Sequence, residues 1–451
     1  MRKQLRKRRA IPISRVMAYV FLGLILLGAL ILTLPASSRS GRSHGFVTAL
    51  FTATSATCVT GLVMGDTWTL WSPLGQAVIL LMIEIGGLGF MSAASLAYFT
   101  LRRRMSIHQR LVMAEAMGAS HLGDVVDMQR KLLIRSFALE GAGAAILTIR
   151  FCAEYPFAQA LPLGVFHAVS AFCNAGFDLL GFRYPGASLI PYGQDPVILL
   201  TLSLLVIFGG LGFLVWDEVI RIRSFRKLSV YTRLVLITSG VLLAGGTVAF
   251  ALLEWDNPAT LGPMAWPHKI LASFFQSVTL RTAGFAGVDQ GLLSPAGKSV
   301  SIFLMLIGGS SGSTAGGLKT VTFVTLIMFL WNRMRGRYTV SVVHRTISED
   351  HVLNAILIFT LMISMAFFGA TLICALDGVS FTDSLYETVS ALATVGLTTG
   401  ITPGLSLPVK LMIILFMYFG RVGILTISFG FLRKKPAGEK FKYANTELLI
   451  G

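Results

Sequence analysis

Ser390-Ala391-Leu392-Ala393-Thr394-Val395-Gly396-Leu397 decides how this chain is read, because three further stretches stack on it. They are Ser55-Ala56-Thr57-Cys58-Val59-Thr60-Gly61-Leu62, Ser170-Ala171-Phe172-Cys173-Asn174-Ala175-Gly176-Phe177 and Val278-Thr279-Leu280-Arg281-Thr282-Ala283-Gly284-Phe285. Each places a small or β-branched residue just before a glycine and Leu or Phe just after it. Gly61, Gly176, Gly284 and Gly396 recur about 110 residues apart, far beyond the period of a solenoid repeat. One match of this kind is weak evidence; four in register indicate a fourfold internal duplication.

Outward from each glycine the pattern continues. Just ahead lie short, moderately apolar stretches, Phe46–Thr57, Leu163–Phe172, Lys269–Thr279 and Thr382–Ala393. Each is too short to cross a bilayer and fits a re-entrant helix. Flanking them are apolar runs long enough for the roughly 30 Å hydrocarbon core. The clearest are Val16–Leu34, Pro73–Leu101, Val197–Val219, Ser299–Leu330, Val352–Leu376 and Val409–Leu432. Two more, Leu132–Phe151 and Leu234–Leu253, are broken by small residues but still qualify, which brings the spanning candidates to eight. The unit is a span, a re-entrant helix, an extended strand with glycine, and a second span. Two spans return the chain to its starting side, so all four units enter alike and the repeats are parallel rather than inverted. The expected fold is an all-α polytopic membrane protein, with four parallel helix–pore loop–helix repeats around a central pore of pseudo-fourfold symmetry. The expected divisions are a basic N-terminus (1–15), repeats 1 to 4 (16–104, 130–227, 231–337, 351–433) and a C-terminal tail (434–451).

Composition agrees. Of the 451 residues 54% are hydrophobic and only 13% charged, too few charges to cover a soluble protein of this length. The net charge of +17 suggests a nucleic-acid binder until its distribution is examined. Most of the Lys and Arg fall in Arg2–Arg15, Arg102–Arg135, Arg221–Arg233, Arg333–Arg345 and Arg433–Lys442, the segments between the hydrophobic pairs. That is the distribution of cytoplasmic loops facing anionic lipid, and it places both termini in the cytoplasm. The alternate segments carry much of the acid, including Asp66, Asp178, Asp289 and Asp383. A nucleic-acid partner is not expected; the lipid bilayer is. The first run is longer than a signal-peptide core, and cleavage chemistry around Pro35–Ser38 is weak, so it reads as a retained span. Cys58, Cys152, Cys173 and Cys374 sit in apolar context and read as packing residues.

Non-helical backbone is tolerated at membrane depth only where it is buried in protein or lines a wet cavity. Four glycine strands around one axis would turn rings of carbonyls toward each other, and carbonyl oxygens can replace the hydration shell of a monovalent cation. The expected ion-binding residues are Thr60 and Gly61, Ala175 and Gly176, Ala283 and Gly284, and Val395 and Gly396, with Val59, Asn174, Thr282 and Thr394 as filter-lining neighbours. The re-entrant helices aim their partly negative C-terminal ends at the cavity. No ring of acids occupies these strands, which argues against a divalent site.

Thr394-Val395-Gly396 resembles a shortened potassium-channel filter, and the whole pattern resembles the Trk/Ktr/HKT superfamily of potassium and sodium transporters. Within it the chain most resembles the Ktr-type bacterial pore subunit, since no additional pair of spans precedes the first unit. The resemblance maps the filter glycines to Gly61, Gly176, Gly284 and Gly396. Glycine in the first strand, where sodium-selective plant members have serine, favours potassium. It implies potassium uptake across the cell (plasma or inner) membrane, with K+ held at the filter carbonyls and Na+ as a coupling or activating ion. It also implies a homodimer with a pore in each protomer, where the apolar end Leu448-Leu449-Ile450-Gly451 could pack. A separate cytoplasmic nucleotide-binding regulatory ring would dock on the basic loops.

The third unit departs from helical regularity at Gly308-Gly309-Ser310-Ser311-Gly312-Ser313-Thr314-Ala315-Gly316-Gly317-Leu318-Lys319-Thr320. Each glycine costs about 1 kcal/mol relative to alanine in a helix, so the stretch cannot remain one. A kinked packing helix is one reading; the resemblance implies a flexible gating loop below the filter. Arg421 lies near the centre of Val409–Leu432, where a charge costs about 2.5–3.5 kcal/mol or more, so it should face the pore. The resemblance makes it the loop's partner and an electrostatic barrier, with Lys319 as a second loop-positioning charge. Gly308, Gly309, Ser310, Gly312, Gly316, Gly317, Lys319 and Arg421 form the expected gating set. The second spans echo each other at Gly86-Gly87-Leu88-Gly89-Phe90, Gly209-Gly210-Leu211-Gly212-Phe213 and Gly420-Arg421-Val422-Gly423, which reads as close helix packing. Glu84, Glu140 and Arg281 read as structural tethers.

Two other classes compete. Gly308-Gly309-Ser310-Ser311-Gly312 matches a hydrolase elbow, but it lacks a preceding strand and a base at matching depth, His44, His167 and His268 falling on the external side. An alternating-access carrier needs inverted or swapped repeats and a midplane site of broken helices. A sodium-transporting or poorly selective relative of the same superfamily remains the nearest alternative; enzyme chemistry is not expected.

Overall fold

The computed structural model describes residues 13–89, 125–337, 339–342 and 345–423. The basic segment beyond Phe90, the end of the last span and the C-terminal tail lie outside these residues, and so does the expected packing site at Leu448–Gly451.

Each repeat begins with a long apolar helix. These are α1 (Ile13–Thr33), α4 (Val125–Phe151), α8 (Val230–Glu254) and α12 (Glu349–Asp377). All four are long and apolar enough to cross a membrane. In α8 only 22% of the apolar window is buried within the protein, so most of its apolar surface turns away from the rest of the chain. α12 has Glu349 and Asp350 in its first turn, where the helix dipole favours them, and stops at Gly378 in a left-handed conformation.

Four short helices follow: α2 (Phe46–Thr57), α5 (Phe157–Phe172), α9 (Trp266–Thr279) and α13 (Phe381–Leu392). They are the re-entrant helices expected from sequence. α5 begins about two turns before Leu163, carrying Pro162 inside, and α9 begins before Lys269. Their C-terminal halves are almost wholly buried, where the four repeats meet.

The second spans differ from expectation. The sequence reads three of them as continuous, yet none is. α3 (Pro73–Leu88) ends at Gly89, α6 (Pro196–Leu211) at Gly212 and α14 (Leu407–Val422) at Gly423. Those glycines have φ of 82°, 91° and 91°, a region open to glycine and closed to most side chains. A 16-residue helix reaches only about 24 Å, short of a full crossing. After Gly212 the chain continues as α7 (Phe213–Ile222), bent by 96° from α6. In the third repeat α10 (Pro295–Leu306) and α11 (Thr320–Met334) are separated by the whole Gly/Ser-rich segment. Among the described residues, the second helix thus ends at a positive-φ glycine in repeats 1, 2 and 4 and is broken by the Gly/Ser-rich segment in repeat 3.

The earlier glycines of these motifs do pack closely. A Cβ on Gly86, Gly209 or Gly420 would overlap the carbonyl oxygen of Thr57, Phe172 or Leu392 respectively. Each second helix thus touches the last turn of its own pore helix backbone to backbone. A two-stranded hairpin pairs Ser341 with Thr346 and Val342 with Arg345, a small departure from an all-helical chain. Cys58 and Cys173 are buried as expected, whereas Cys152 is exposed; burial at the end of α4 depends on which face turns inward. His167 lies buried in α5, ringed by Phe151, Phe166 and Phe285.

Candidate ion pathway

The four strands close into a ring. The point where a Cβ would sit on Gly61 lies 2.5 Å from the carbonyl oxygen of Ala175. For Gly176 the corresponding atom is the Ala283 oxygen at 2.7 Å, and for Gly284 the Val395 oxygen at 2.5 Å. A Cβ on Gly396 would overlap the Thr60 oxygen, which completes the circuit. Strand 1 therefore neighbours 2, 2 neighbours 3, 3 neighbours 4 and 4 neighbours 1. Glycine is required twice over at these positions: φ runs from 69° to 95°, and the neighbouring strand occupies the side-chain site.

Two residues before each glycine the backbone is left-handed again. Val59, Asn174, Thr282 and Thr394 have φ of 56°, 58°, 65° and 53°. For β-branched residues this conformation is a genuine outlier that only surrounding structure can hold. No sequence signal marks it; asparagine, which tolerates the region, is the one hint. The strain is held from the pore helices. The amide of Thr60 donates to Ser55 O (2.8 Å) and that of Gly61 to Ser55 Oγ (3.0 Å). Val395 and Gly396 repeat this with Ser390 O (2.8 Å) and Oγ (3.0 Å). In the middle repeats the hydroxyls reach past the glycine instead, Ser170 to Phe177 O (2.8 Å) and Thr279 to Phe285 O (2.7 Å).

A cavity of 330 Å³ opens among the segments that follow the four glycines and touches all four of them. Asp66, Asp178 and Asp289 line it, a role that their positions in sequence did not reveal. Asp66 is held by the amides of Thr69 (2.9 Å) and Gly186 (3.3 Å). Desolvation in this enclosure, with the Asp66 charge adding to it, pushes the Asp178 carboxyl up to about 7.

On the other side of the ring lies the Gly308–Thr320 segment. It is an irregular loop rather than a kinked helix, tied at its neck by Gly308 N to Leu318 O (3.0 Å) and Leu318 N to Leu306 O (3.1 Å). Repeat 2 holds it through Ser310 N to Gly210 O (2.9 Å) and Thr314 N to Gly209 O (3.2 Å). In return Gly312 O accepts from Phe213 N (3.0 Å), the first amide of the bent helix α7. A Cβ on Gly316 would collide with the Thr394 hydroxyl of repeat 4, and one on Gly309 would meet Ala315 at 2.5 Å. Gly312 and Gly317 take positive φ, 71° and 68°. Repeats 2 and 4 are opposite each other in the ring, so the loop of repeat 3 reaches across from one to the other.

Arg421 completes the closure. Its guanidinium donates to Thr314 O in the loop, and to Gly86 O and Gly87 O (2.9 Å) in repeat 1. Lys319 turns back onto the loop, donating from Nζ to Ala315 O (2.6 Å). Both cations line a second cavity of 210 Å³, together with Gly89, Phe213, Gly312 and Val422 from the breaks in the second spans. Ser310 shares a 2.9 Å hydrogen bond with Thr320, which leaves it tied into the loop rather than poised beside a base.

The three tethers separate. Arg281 is half-buried behind strand 3 and donates to Gly308 O (3.2 Å) at the start of the loop. Glu84 and Glu140 lie with Cys173 in one buried group whose ligand atoms are within 4.8 Å of each other, the Cys173 thiol donating to Glu84 (3.5 Å).

Residues 18–443 match the sequence profile of TrkH, described as a cation transport protein. The potassium/sodium uptake protein NtpJ of Enterococcus hirae is 38% identical over 456 residues, covering 100% of this chain and 99% of the relative. The Ktr system potassium uptake protein B of Bacillus subtilis is 36% identical, covering 97% of this chain and 96% of its own length. That of Vibrio alginolyticus is also 36% identical, with 97% and 94% covered. The crystal structure of the potassium transporter TrkH from Vibrio parahaemolyticus superimposes with a TM-score of 0.70 at 16% identity, over 94% of this chain and 86% of that one, a likeness of fold. Fourfold ring, broken second spans and near full-length similarity converge, and the chain belongs to the TrkH family of cation transport proteins.

Proposed function

We propose that this protein is the membrane pore subunit of a potassium uptake system, conducting K+ through the four-glycine ring and gated by the Gly308–Thr320 loop. One observation carries the reading. The ring lies between two cavities, and the loop that separates it from the second cavity contacts repeats 2 and 4 directly and is joined to repeat 1 by Arg421 of repeat 4. The buried hydroxyls of Thr60, Thr282 and Thr394 have no protein partner among the described residues, a polar lining suited to a partly dehydrated cation. Thr60–Gly61, Ala175–Gly176, Ala283–Gly284 and Val395–Gly396 supply the carbonyls, with Val59 and Asn174 beside them. K+ is cargo here, and Na+ acts as a coupling or activating ion.

Arg421 and Lys319 place positive charge at the inner mouth, which repels cations while the loop is seated. Gly308, Gly309, Gly316 and Gly317 give the loop its neck and its close approach to the filter. The bend at Gly212 ties the loop to α7 and so to the basic segment that follows, Arg221–Arg233. This is a surface on which a cytoplasmic regulatory ring could act, consistent with relatives that are named as parts of a Ktr system. Assembly as a homodimer, and cytoplasmic placement of both termini at the cell membrane, belong to the same reading.

Ion flux into liposomes holding the purified chain, under matched K+ and Na+ gradients, tests it. Preference for K+ supports it. A second reading, uptake of Na+ or of both ions, is favoured by the name of the Enterococcus hirae relative, and equal or sodium-preferring flux would establish it. Flux of neither ion, even with the Arg421 anchor removed, would sink the pore assignment.

A further inference from the structure

Asn174 differs in kind from the residues at its position in the other repeats, Val59, Thr282 and Thr394. It alone carries a carboxamide, whose donor and acceptor are two separate atoms, and it uses both ends. Its Nδ2 donates to the carbonyl of Arg281 (3.4 Å), in strand 3 of the filter. Its Oδ1 accepts from the Thr314 hydroxyl (3.2 Å), in the gate loop. The same hydroxyl lies 3.1 Å from the carbonyl of Phe172, the last residue of α5. Gly209 makes the convergence possible: a Cβ there would lie 2.7 Å from Asn174 Oδ1 and 2.8 Å from Thr314 Oγ1. Arg281 closes the circuit by donating to Gly308 O (3.2 Å) at the loop's neck. Two points of the loop are thus joined through two filter strands.

We propose that Asn174 is a specificity-positioning residue, locked between Thr314 and the Arg281 carbonyl only while the loop is seated, so that the state of the gate sets the spacing of strands 2 and 3. When the loop withdraws, Thr314 leaves with it and the carboxamide loses its donor. Only the long 3.4 Å bond from Nδ2 to the Arg281 carbonyl then orients it, and the Gly176–Ala283 junction loosens. Ion discrimination falls as the gate opens. The proposal rests on the gating role given above to the loop.

The test is the K+/Na+ flux ratio in liposomes for Thr314→Val, Thr314→Ser, Asn174→Leu, the Thr314→Val/Asn174→Leu double variant and Arg421→Ala. Thr314→Val and Asn174→Leu should each lower the ratio about fivefold, and the double variant should fall no further, since both remove one shared interaction. Thr314→Ser keeps the hydroxyl and should keep the ratio. Arg421→Ala should raise total flux. An unchanged ratio in Thr314→Val beside raised flux in Arg421→Ala would overturn the coupling and leave the gate standing. Multiplying effects in the double variant would overturn it too. Unchanged flux and ratio in both Arg421→Ala and Thr314→Val would remove the gate reading itself. If Asn174→Leu does not assemble, the comparison of Val with Ser at position 314 decides alone.

Discussion

Arg421 donates a hydrogen bond to the carbonyl of Thr314, fastening the middle of the Gly308–Thr320 loop to α14. The same guanidinium holds Gly86 and Gly87, so one side chain joins repeats 1, 3 and 4. Charge-assisted bonds of this kind contribute roughly 1.5–3 kcal/mol each when desolvated. Arg421→Ala should therefore raise K+ flux at least about tenfold, by freeing the loop and removing the positive barrier together. Arg421→Lys keeps the charge but lacks the planar fork, and should raise flux less. Flux in reconstituted liposomes checks both.

Gly284→Ala places a methyl group 2.5 Å from the Val395 oxygen at a residue with φ of 82°. Neither the neighbouring backbone nor the dihedral can yield without opening the ring. Uptake of K+ should drop more than about tenfold, or lose its preference over Na+, while the protein still purifies as a single species. Competition of Na+ against a K+ tracer distinguishes this from simple loss of folding.

The Asp178 carboxyl, held up to about 7 by its enclosure and by Asp66, gives the outer mouth a charge that depends on pH. Above that value it is ionised and attracts cations; below it, neutral. K+ uptake at limiting K+ should fall as the pH on that side drops from 8 to 6, with the apparent affinity weakening more than the maximal rate. Asp178→Asn should flatten this dependence, leaving Asp66 and Asp289 to maintain a lower, constant uptake. The effect on folding has the opposite sign. A raised carboxyl pKa means the folded state binds the proton more tightly, so this group's contribution to stability grows as pH falls through 7 toward the unfolded value of about 3.9.

Glu254, at the end of α8, accepts from Ser294 N (3.0 Å), Ser294 Oγ (2.6 Å), Asn257 Nδ2 (2.6 Å) and Thr260 Oγ1 (2.9 Å). It fastens the first helix of repeat 3 to the start of α10, far from the ring. Glu254→Ala should cost about 3 kcal/mol, because four donors lose one charged acceptor at a buried site. Thermal unfolding in detergent should show the loss, and the K+/Na+ flux ratio should not change.

Much of this architecture is legible in one dimension. Fourfold duplication, the long first spans and the short pore helices follow from apolar run length and recurring glycines, and the family resemblance drawn from them agrees with the comparisons. The second spans misled because hydropathy averages over a glycine: Pro196–Leu211 and Phe213–Ile222 read as one apolar run although Gly212 turns the chain by 96°. The motif glycines read as packing residues in fact do two jobs, Gly209 admitting the Phe172 carbonyl and Gly212 turning the chain. Asp66, Asp178 and Asp289 carried only a topology signal until folding enclosed them around one cavity.

By itself the sequence determined that this chain lies in a membrane, in four like units, each with a glycine strand between a short helix and a span. Those properties are local: they depend on side-chain polarity and on the few residues next in line. Only the tertiary structure decided the order of the ring, the left-handed backbone at Val59, Asn174, Thr282 and Thr394, and the reach of one loop to repeats 2 and 4, with Arg421 linking it on to repeat 1. The ring order and the loop's reach are matters of which atoms face one another across about a hundred residues or more of chain, as Gly396 faces Thr60 and Arg421 faces Gly86. A linear pattern records what a residue prefers; close packing of the four repeats sets what it is made to accept.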